Sequence, residues 1–303
     1  MALKDIKTKI KATERTHKVT RAMEAVSAVK MRKTQETALK GRFYARAALS
    51  ILTRVAGTEE VKRHPLAHTR EGKKIALVLI TSDKGLAGAL NSSVIKRASE
   101  ALIGREIQDV VVYAYGKKGE EYFRRRGYEI RKSFENKADG IPLSIMQELS
   151  DGLSQGFLRG DYDKVITIYS NFKSTFEQVA TVRRLLPLSL GALTEIVEGI
   201  VPHKGKWSTL QPIVAPSAYS IEPDDGSEVL NRLVPRLIAI SLYHMLLEAK
   251  ASEHSSRMVA MKNASDKSKE VAHDLKRLFN KIRQAGITRE VSEIVSGREA
   301  LAT

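Results

Sequence analysis

Ser82, Asp83 and Lys84, followed by Gly85, Leu86, Ala87 and Gly88, gather polar side chains and glycines as they would gather around an anion. A strand is predicted before them and a helix after, so the amides at the helix start could hold a phosphate or carboxylate. The spacing fits neither the P-loop nor the dinucleotide fingerprint, because the glycines are too few and wrongly placed. A tight strand-to-helix turn, capped by its own side chains, explains the same residues without a ligand. The seven histidines are scattered, and His244 and His254 are ten positions apart, which turns them to different sides of a helix. With no cysteine there is no thiol nucleophile, zinc cluster or disulfide framework. Neither paired carboxylates nor a nucleophile elbow stands out. The residues describe a non-catalytic chain with no cofactor or metal site.

Charge is the more informative chemistry. The 303 residues carry a formal net charge of +16. Residues 1–56 hold 14 Lys/Arg against 4 Asp/Glu, whereas residues 224–303 hold 13 against 11. The excess therefore sits on the amino-terminal segment, where Lys4, Lys7, Lys11, Arg15 and Lys18 form a stripe. Such a field favours acidic partners: nucleic acid, anionic lipid or acidic protein loops. Residues 1–40 contain no aromatic, however, and the interleaved rings common in single-strand binding are missing.

The elements that carry this charge are long. From residue 3 to about 55 there is no proline and one glycine, Gly41, and good helix formers dominate. Leu3, Ile6, Ile10, Thr13 and His17 alternate at 3 and 4, the seam of a paired helix. Across Ala22, Met23, Ala25, Val26, Ala28 and Val29 small or apolar residues point almost all round, which suits a helix enclosed by a protein socket. About 53 residues make a rod of about 80 Å. At the other end, helical patterning runs from Val229 to about Ala285. Met258, Met261, Val271, Leu275, Leu278, Ile282 and Ala285 are its predicted seam. Residues 249–256 supply small side chains for close approach. Pro235 is expected to kink or restart this helix, and Gly286 to break it before an apolar stripe of Ile287, Val291, Ile294 and Val295.

The middle has a different grammar. Residues 75–80 are a continuous apolar run fit for a strand buried on both faces. Strands are predicted again at 109–116, 128–132, 164–169 and 178–185, with helices at 89–102, 117–126 and 143–158. Alternation of this kind argues for a largely parallel, three-layer α/β sheet. Five prolines between 187 and 223 mark a return loop with one short strand. The fold class is thus α/β plus long helices. The terminal segments form an antiparallel two-helix coiled coil, and a Rossmann-like α/β domain is inserted between them. The boundaries are 1–57 for the first helix, 73–206 for the α/β domain, and 207–303 for the return segment and second helix. No apolar run reaches the roughly 20 residues of a membrane span. The start lacks the apolar core of a secretory signal and leaves no room for a transit peptide.

Particular strings then match a known family. Met23-Glu24-Ala25-Val26-Ser27-Ala28-Val29-Lys30-Met31-Arg32-Lys33 closely resembles the amino-terminal motif of the gamma subunit of F-type ATP synthases. Ser82-Asp83-Lys84-Gly85-Leu86-Ala87-Gly88-Ala89-Leu90-Asn91 is similar to that family's strand-to-helix turn, with Ala87 and Ala89 where Cys and Gly are common. Ser252-Glu253-His254-Ser255-Ser256-Arg257-Met258-Val259-Ala260-Met261 and Asn280-Lys281-Ile282-Arg283-Gln284-Ala285-Gly286-Ile287-Thr288-Arg289-Glu290-Val291 are similar nearly residue for residue.

The resemblance implies a central rotor stalk of a proton-driven ATP synthase. Such a stalk carries torque between a membrane c-ring and a ring of alpha and beta subunits in a 3:3:1 complex, with epsilon and delta subunits as further partners. It implies that Met23, Lys30, Arg32, Arg257, Gln284, Thr288, Glu290 and Glu293 contact beta-subunit loops. Ile287, Val291, Ile294 and Val295 would lie in an apolar bearing. The chain lacks the segment that carries a redox cysteine pair in chloroplast-type relatives, and the tip after Gly297 is longer and more charged than usual. A bacterial home is implied, peripheral to the cell inner membrane on its cytoplasmic side. Two other readings remain to be separated from this one: a basic coiled coil that binds nucleic acid or the ribosome, and an enzyme using the α/β domain as a nucleotide fold.

Overall fold

A computed structural model describes residues 3–55, 64–137, 140–189 and 226–302; side chains of 38–55, 143, 226–230 and 299–302 lie outside the description. The elements are α1 (Leu3–Val55), β1 (Ile75–Ile80), α2 (Leu90–Ala101), β2 (Val110–Tyr115), α3 (Lys117–Arg124), β3 (Glu129–Phe134), α4 (Leu143–Arg159), β4 (Lys164–Phe172), β5 (Gln178–Leu186) and α5 (Gly226–Ala302). Most of the predicted return loop at 187–223, with the short strand expected in it, lies outside the described residues.

Two compact units are present. The larger comprises residues 28–257 and the other residues 1–27 with 258–303. In the larger unit a five-stranded sheet has the order β3-β2-β1-β4-β5. Its first four strands are parallel, and β5 returns antiparallel to β4. The sheet is therefore mixed. Parallel strands must be covered on both faces, because their crossover helices lie there, and the alternation of β1 shows the result. Ala76, Val78 and Ile80 point into a core with Met146, Leu149 and Leu153 of α4 and Val234, Leu237, Leu242, Met245 and Ala249 of α5. Leu77 and Leu79 point the other way, into a core with Val94 and Ala98 of α2 and Phe123 of α3. The early part of α5 thus supplies a face of this domain.

Gly116 links β2 to α3 at φ 104°, and a Cβ there would stand 2.1 Å from the Thr81 carbonyl oxygen. Only glycine permits this backbone at this approach.

The smaller unit joins the two chain ends. His17 Nδ1 lies 3.0 Å from both the carbonyl oxygen and the Oγ of Ser265, and Lys276 Nζ lies 2.5 Å from Glu14 Oε1. Later residues of one segment meet earlier residues of the other. On α1, Ile6, Thr20, Ser27, Met31 and Thr34 are buried, with Ile10, Thr13 and His17 half-buried; Leu3, predicted on this seam, is exposed.

Three expectations for α5 are corrected. Pro235 lies inside a continuous helix rather than restarting it. A proline removes one donor and stresses one turn, and here the adjacent Val234 and Leu237 are fixed in the sheet core. Gly286 does not end the helix either, since a glycine in a helix costs about 1 kcal/mol relative to alanine, too little to terminate a long one. The seam is also offset. Between 265 and 286 the covered positions are Ser265, Ser268, Ala272, Leu275, Phe279, Ile282 and Gly286, at alternating 3 and 4. Val271, Leu278 and Ala285, predicted on the seam, are exposed.

Candidate functional site

The turn at 82–88 is held from within the protein. Ser82 N donates to Asn91 Oδ1 at 3.0 Å, and Asn91 Nδ2 donates to Ser82 Oγ at 2.7 Å. Asp83 does not cap the helix that follows it, whose start at Ala89 has no side-chain cap. Its two carboxylate oxygens instead accept from the backbone N–H of Lys117 and of Asn136, each at 2.9 Å. The expected local cap is thus a cap on α3 and a clasp on the segment after β3. Spacing along the chain could not show this, because the partners are 34 and 53 residues away.

Ligands of open α/β sheets bind outside the carboxyl ends of the strands, where the strand order reverses. In this sheet that reversal lies between β1 and β4, and α5 occupies it. Ser256 Oγ donates to the Ala87 carbonyl at 2.6 Å and Ser252 Oγ to the Ser170 carbonyl at 2.9 Å. Arg257 Nη2 lies 3.4 Å from the Gly85 carbonyl and 2.8 Å from Glu253 Oε1. Asn136 Nδ2 donates to the other oxygen of Glu253 at 3.1 Å and to the Thr81 carbonyl at 3.0 Å, while its Oδ1 accepts from Lys250 Nζ at 2.8 Å. Burial raises the Glu253 carboxyl, and the charges of Arg257 and Lys250 oppose that shift. Tyr115 is pushed up to about 12 by burial, with Asp83 and Glu253 adding to it. The crevice that a nucleotide would use is filled by the protein's own side chains.

Deeper along α5, burial pushes Glu248 up to about 8, against a hydrogen bond from Tyr169 and the charge of Arg183. Neither Glu248 nor Asn136 carried a sequence signal, because their importance comes from partners distant in the chain.

The surface residues divide differently. By the about 100° per residue of a helix, Lys4, Lys7, Lys11, Arg15 and Lys18 share a stripe of α1 with Ala22, Val26 and Val29. All eight are exposed. The basic face thus turns apolar at Val26 and Val29, which are 54% and 68% exposed. Among the expected contact residues, Met23 and Lys30 are half-buried, Arg32, Gln284, Thr288, Glu290 and Glu293 are exposed, and Arg257 is buried in the network with Glu253. Near the end of α5, Gln284, Ile287, Thr288, Val291, Ile294 and Val295 fall within about 120° of one face, with Glu290 beside it and Glu293 on the opposite side of the helix. Ile287, Val291, Ile294 and Val295 are 50–70% exposed. Thr288 Oγ1 bonds back to the Gln284 carbonyl at 3.0 Å, and Arg289 pairs with Glu293 at 2.8 Å. Among the described residues no group of three His, Asp or Glu side chains is placed to hold a metal, and no helix is long and apolar enough to cross a membrane.

Comparison with known proteins gives a consistent result. The family model described as ATP synthase matches residues 2–301. The ATP synthase gamma chain of Pelotomaculum thermopropionicum is 37% identical over 300 residues, covering 99% of each chain. That of Moorella thermoacetica is 38% identical over 299 residues, again covering 99% of each. Among solved structures, a chain of the Tetrahymena thermophila mitochondrial ATP synthase central stalk and c-ring is 28% identical with a TM-score of 0.58. The match covers 82% of this chain and 99% of that one. A chain from the Euglena gracilis mitochondrial ATP synthase, at 14% identity and a TM-score of 0.66, shares the fold over 99% of this chain and 94% of its own. The protein described here belongs to the family of ATP synthase gamma chains.

Proposed function

We propose that this chain is the central rotor stalk subunit of a proton-driven ATP synthase, non-catalytic itself, carrying torque between a membrane c-ring and the catalytic alpha/beta ring. The observation that carries this reading is end-to-end correspondence: relatives named ATP synthase gamma chain align over 99% of this chain and 99% of their own length. The filled crevice at the carboxyl edge of the sheet argues in the same direction, since it leaves the α/β domain a mechanical task.

The finer architecture follows from this reading. Residues 1–27 and 258–303 act as an antiparallel coiled coil, supported by the 3-and-4 spacing of covered positions and by the reversed order of the His17–Ser265 and Glu14–Lys276 contacts. The sheet with its helices on both faces is Rossmann-like in strand order. In a stalk of this kind Met23, Lys30 and Arg32, with Gln284, Thr288, Glu290 and Glu293, face beta-subunit loops, and Arg257 sets the backbone at Gly85 from within. Ile287, Val291, Ile294 and Val295 form the bearing surface. A rotor needs contacts that attract at every angle and trap at none. Exposed charges, worth at most about 1 kcal/mol each and screened by salt, meet that need. The partners are alpha and beta subunits in a 3:3:1 complex, epsilon and delta subunits, and the c-ring. Membrane association on the cytoplasmic side of a bacterial inner membrane comes through that complex.

The test is reconstitution from alpha and beta subunits of the same source, with and without this chain. A 3:3:1 complex whose sustained ATP hydrolysis requires the chain supports the reading. Absence of a complex, together with tight and strongly salt-dependent RNA or DNA binding, favours a basic coiled coil instead.

A further inference from the structure

The segment 250–257 of α5 differs in kind from the turns before it. From Val234 to Ala249 the helix meets the sheet mainly through apolar side chains, with Glu248 against Tyr169 and Arg183 as a polar contact among them, and apolar packing is non-directional. From Lys250 to Arg257 the contacts become hydrogen bonds to fixed backbone atoms. Ser252, Ser255 and Ser256 donate to the carbonyls of Ser170, Thr175 and Ala87 at 2.9, 2.7 and 2.6 Å. Arg257 reaches the Gly85 carbonyl, while Glu253 and Lys250 grip the side chain of Asn136, which is itself tied to the Thr81 carbonyl. At about 100° per residue these side chains spread over about 220° of the helix circumference. They engage the segments that follow β1, β3 and β4 as well as β4 itself. A grip from several sides to directional acceptors resists rotation of the helix about its own axis. The larger unit ends at Arg257, and the helix continues unbroken to Ala302.

We infer that residues 250–257, with Asn136 as hub, are the torsional anchor through which the α/β domain turns the carboxyl-terminal helix. This rests on the stalk reading. Asn136, Glu253, Lys250 and Ser256 are positioning residues in it, acting through the angle of the helix. In a stalk, a loosened anchor lets the domain turn without carrying the helix, so ion movement and ATP turnover part company while each half still works.

The test uses the complete enzyme in membrane vesicles, with ATP hydrolysis and ATP-driven proton uptake measured together. Asn136→Ala, which removes three side-chain hydrogen bonds, is expected to assemble and hydrolyse ATP near the wild-type rate, with proton uptake per ATP reduced at least about fivefold, the population change that loss of even one net hydrogen bond brings. Ser252→Ala/Ser256→Ala, which leaves no buried charge unpaired, is expected to lower the same ratio. A covalent lock gives the decisive arm. A Cβ at Gly88 would lie 3.4 Å from Ser256 Oγ, within disulfide reach, at a φ of 56° that costs a side chain about 1 kcal/mol, and the chain has no cysteine of its own. Asn136→Ala/Gly88→Cys/Ser256→Cys, oxidised, should recover the wild-type ratio and lose it again on reduction. A role in stability alone would lower the yield of complex and leave the ratio unchanged. The anchor is overturned if both loosening variants pump normally, or if oxidation fails to restore a lowered ratio. A wild-type chain that yields no hydrolysing complex overturns the stalk reading, and the anchor with it.

Discussion

Asp83 Oδ2 accepts a hydrogen bond of 2.9 Å from the backbone N–H of Asn136, and its other oxygen accepts one from Lys117. One carboxylate thereby satisfies two amides that α3 and the segment after β3 would otherwise leave without acceptors. Asp83→Ala should destabilise the α/β domain by about 1–3 kcal/mol, the cost of orphaned buried donors. Hydrogen exchange at the amides of residues 117 and 136 should quicken before that of β1. Unchanged exchange at both positions would show that Asp83 is not their clasp.

Glu248 sets a pH dependence. Its folded value, pushed up to about 8 by burial, lies above the ordinary 4.5. Between those values the unfolded chain gives up the proton while the folded chain keeps it. The stabilisation is therefore complete below about 4.5 and is lost as pH rises through about 8. Glu248→Gln should remove this loss, making the variant more stable than wild type by roughly 4 kcal/mol at pH 8.5 and by no more than about 1 kcal/mol at pH 5. Urea midpoints at the two pH values measure it; parallel curves would contradict the assignment.

Gly116→Ala places a methyl group 2.1 Å from the Thr81 carbonyl at a backbone angle that disfavours any side chain. The cost should reach about 3 kcal/mol or more, read as a fall in thermal midpoint. Gly104→Ala is a useful companion: its φ is 79° but no atom lies within 4 Å. It should cost only the conformational strain, about 1 kcal/mol.

How much of this could be read from the residues alone depended on how local the cause was. The run Ile75 to Ile80 is apolar at every position because a parallel strand is covered on both faces, and it reads directly as β1. The bounds of α1 likewise follow from its composition. The seam of α5 did not, because small residues such as Ser265 and Ala272 occupy covered positions while the larger Val271 and Leu278 face outward. Size drew attention to the wrong register. Arg257 looked like a surface contact, yet its guanidinium turns inward to Glu253 four residues earlier. Asn136 was invisible in the sequence, because its four hydrogen-bond partners, Thr81, Asp83, Lys250 and Glu253, lie more than 50 residues away.

The exposed face near the end of α5 offers a separation of stability from function. Val291→Ser and Ile294→Ser alter side chains 53% and 70% exposed, so the purified chain should change in stability by no more than about 0.5 kcal/mol. If these residues form a bearing, ATP turnover by the assembled complex should nevertheless fall. Equal turnover at equal assembly would remove them from the bearing.

The most direct test is to watch the chain turn. A single cysteine at Ile103, 79% exposed on the α/β domain, would carry a reporter rod, since the chain offers no competing thiol. The alpha/beta ring would be fixed to a surface and ATP added. The stalk reading predicts sustained rotation of the rod in one direction, stopping when ATP is withdrawn. A complex that hydrolyses ATP while the rod only fluctuates about one angle would contradict it.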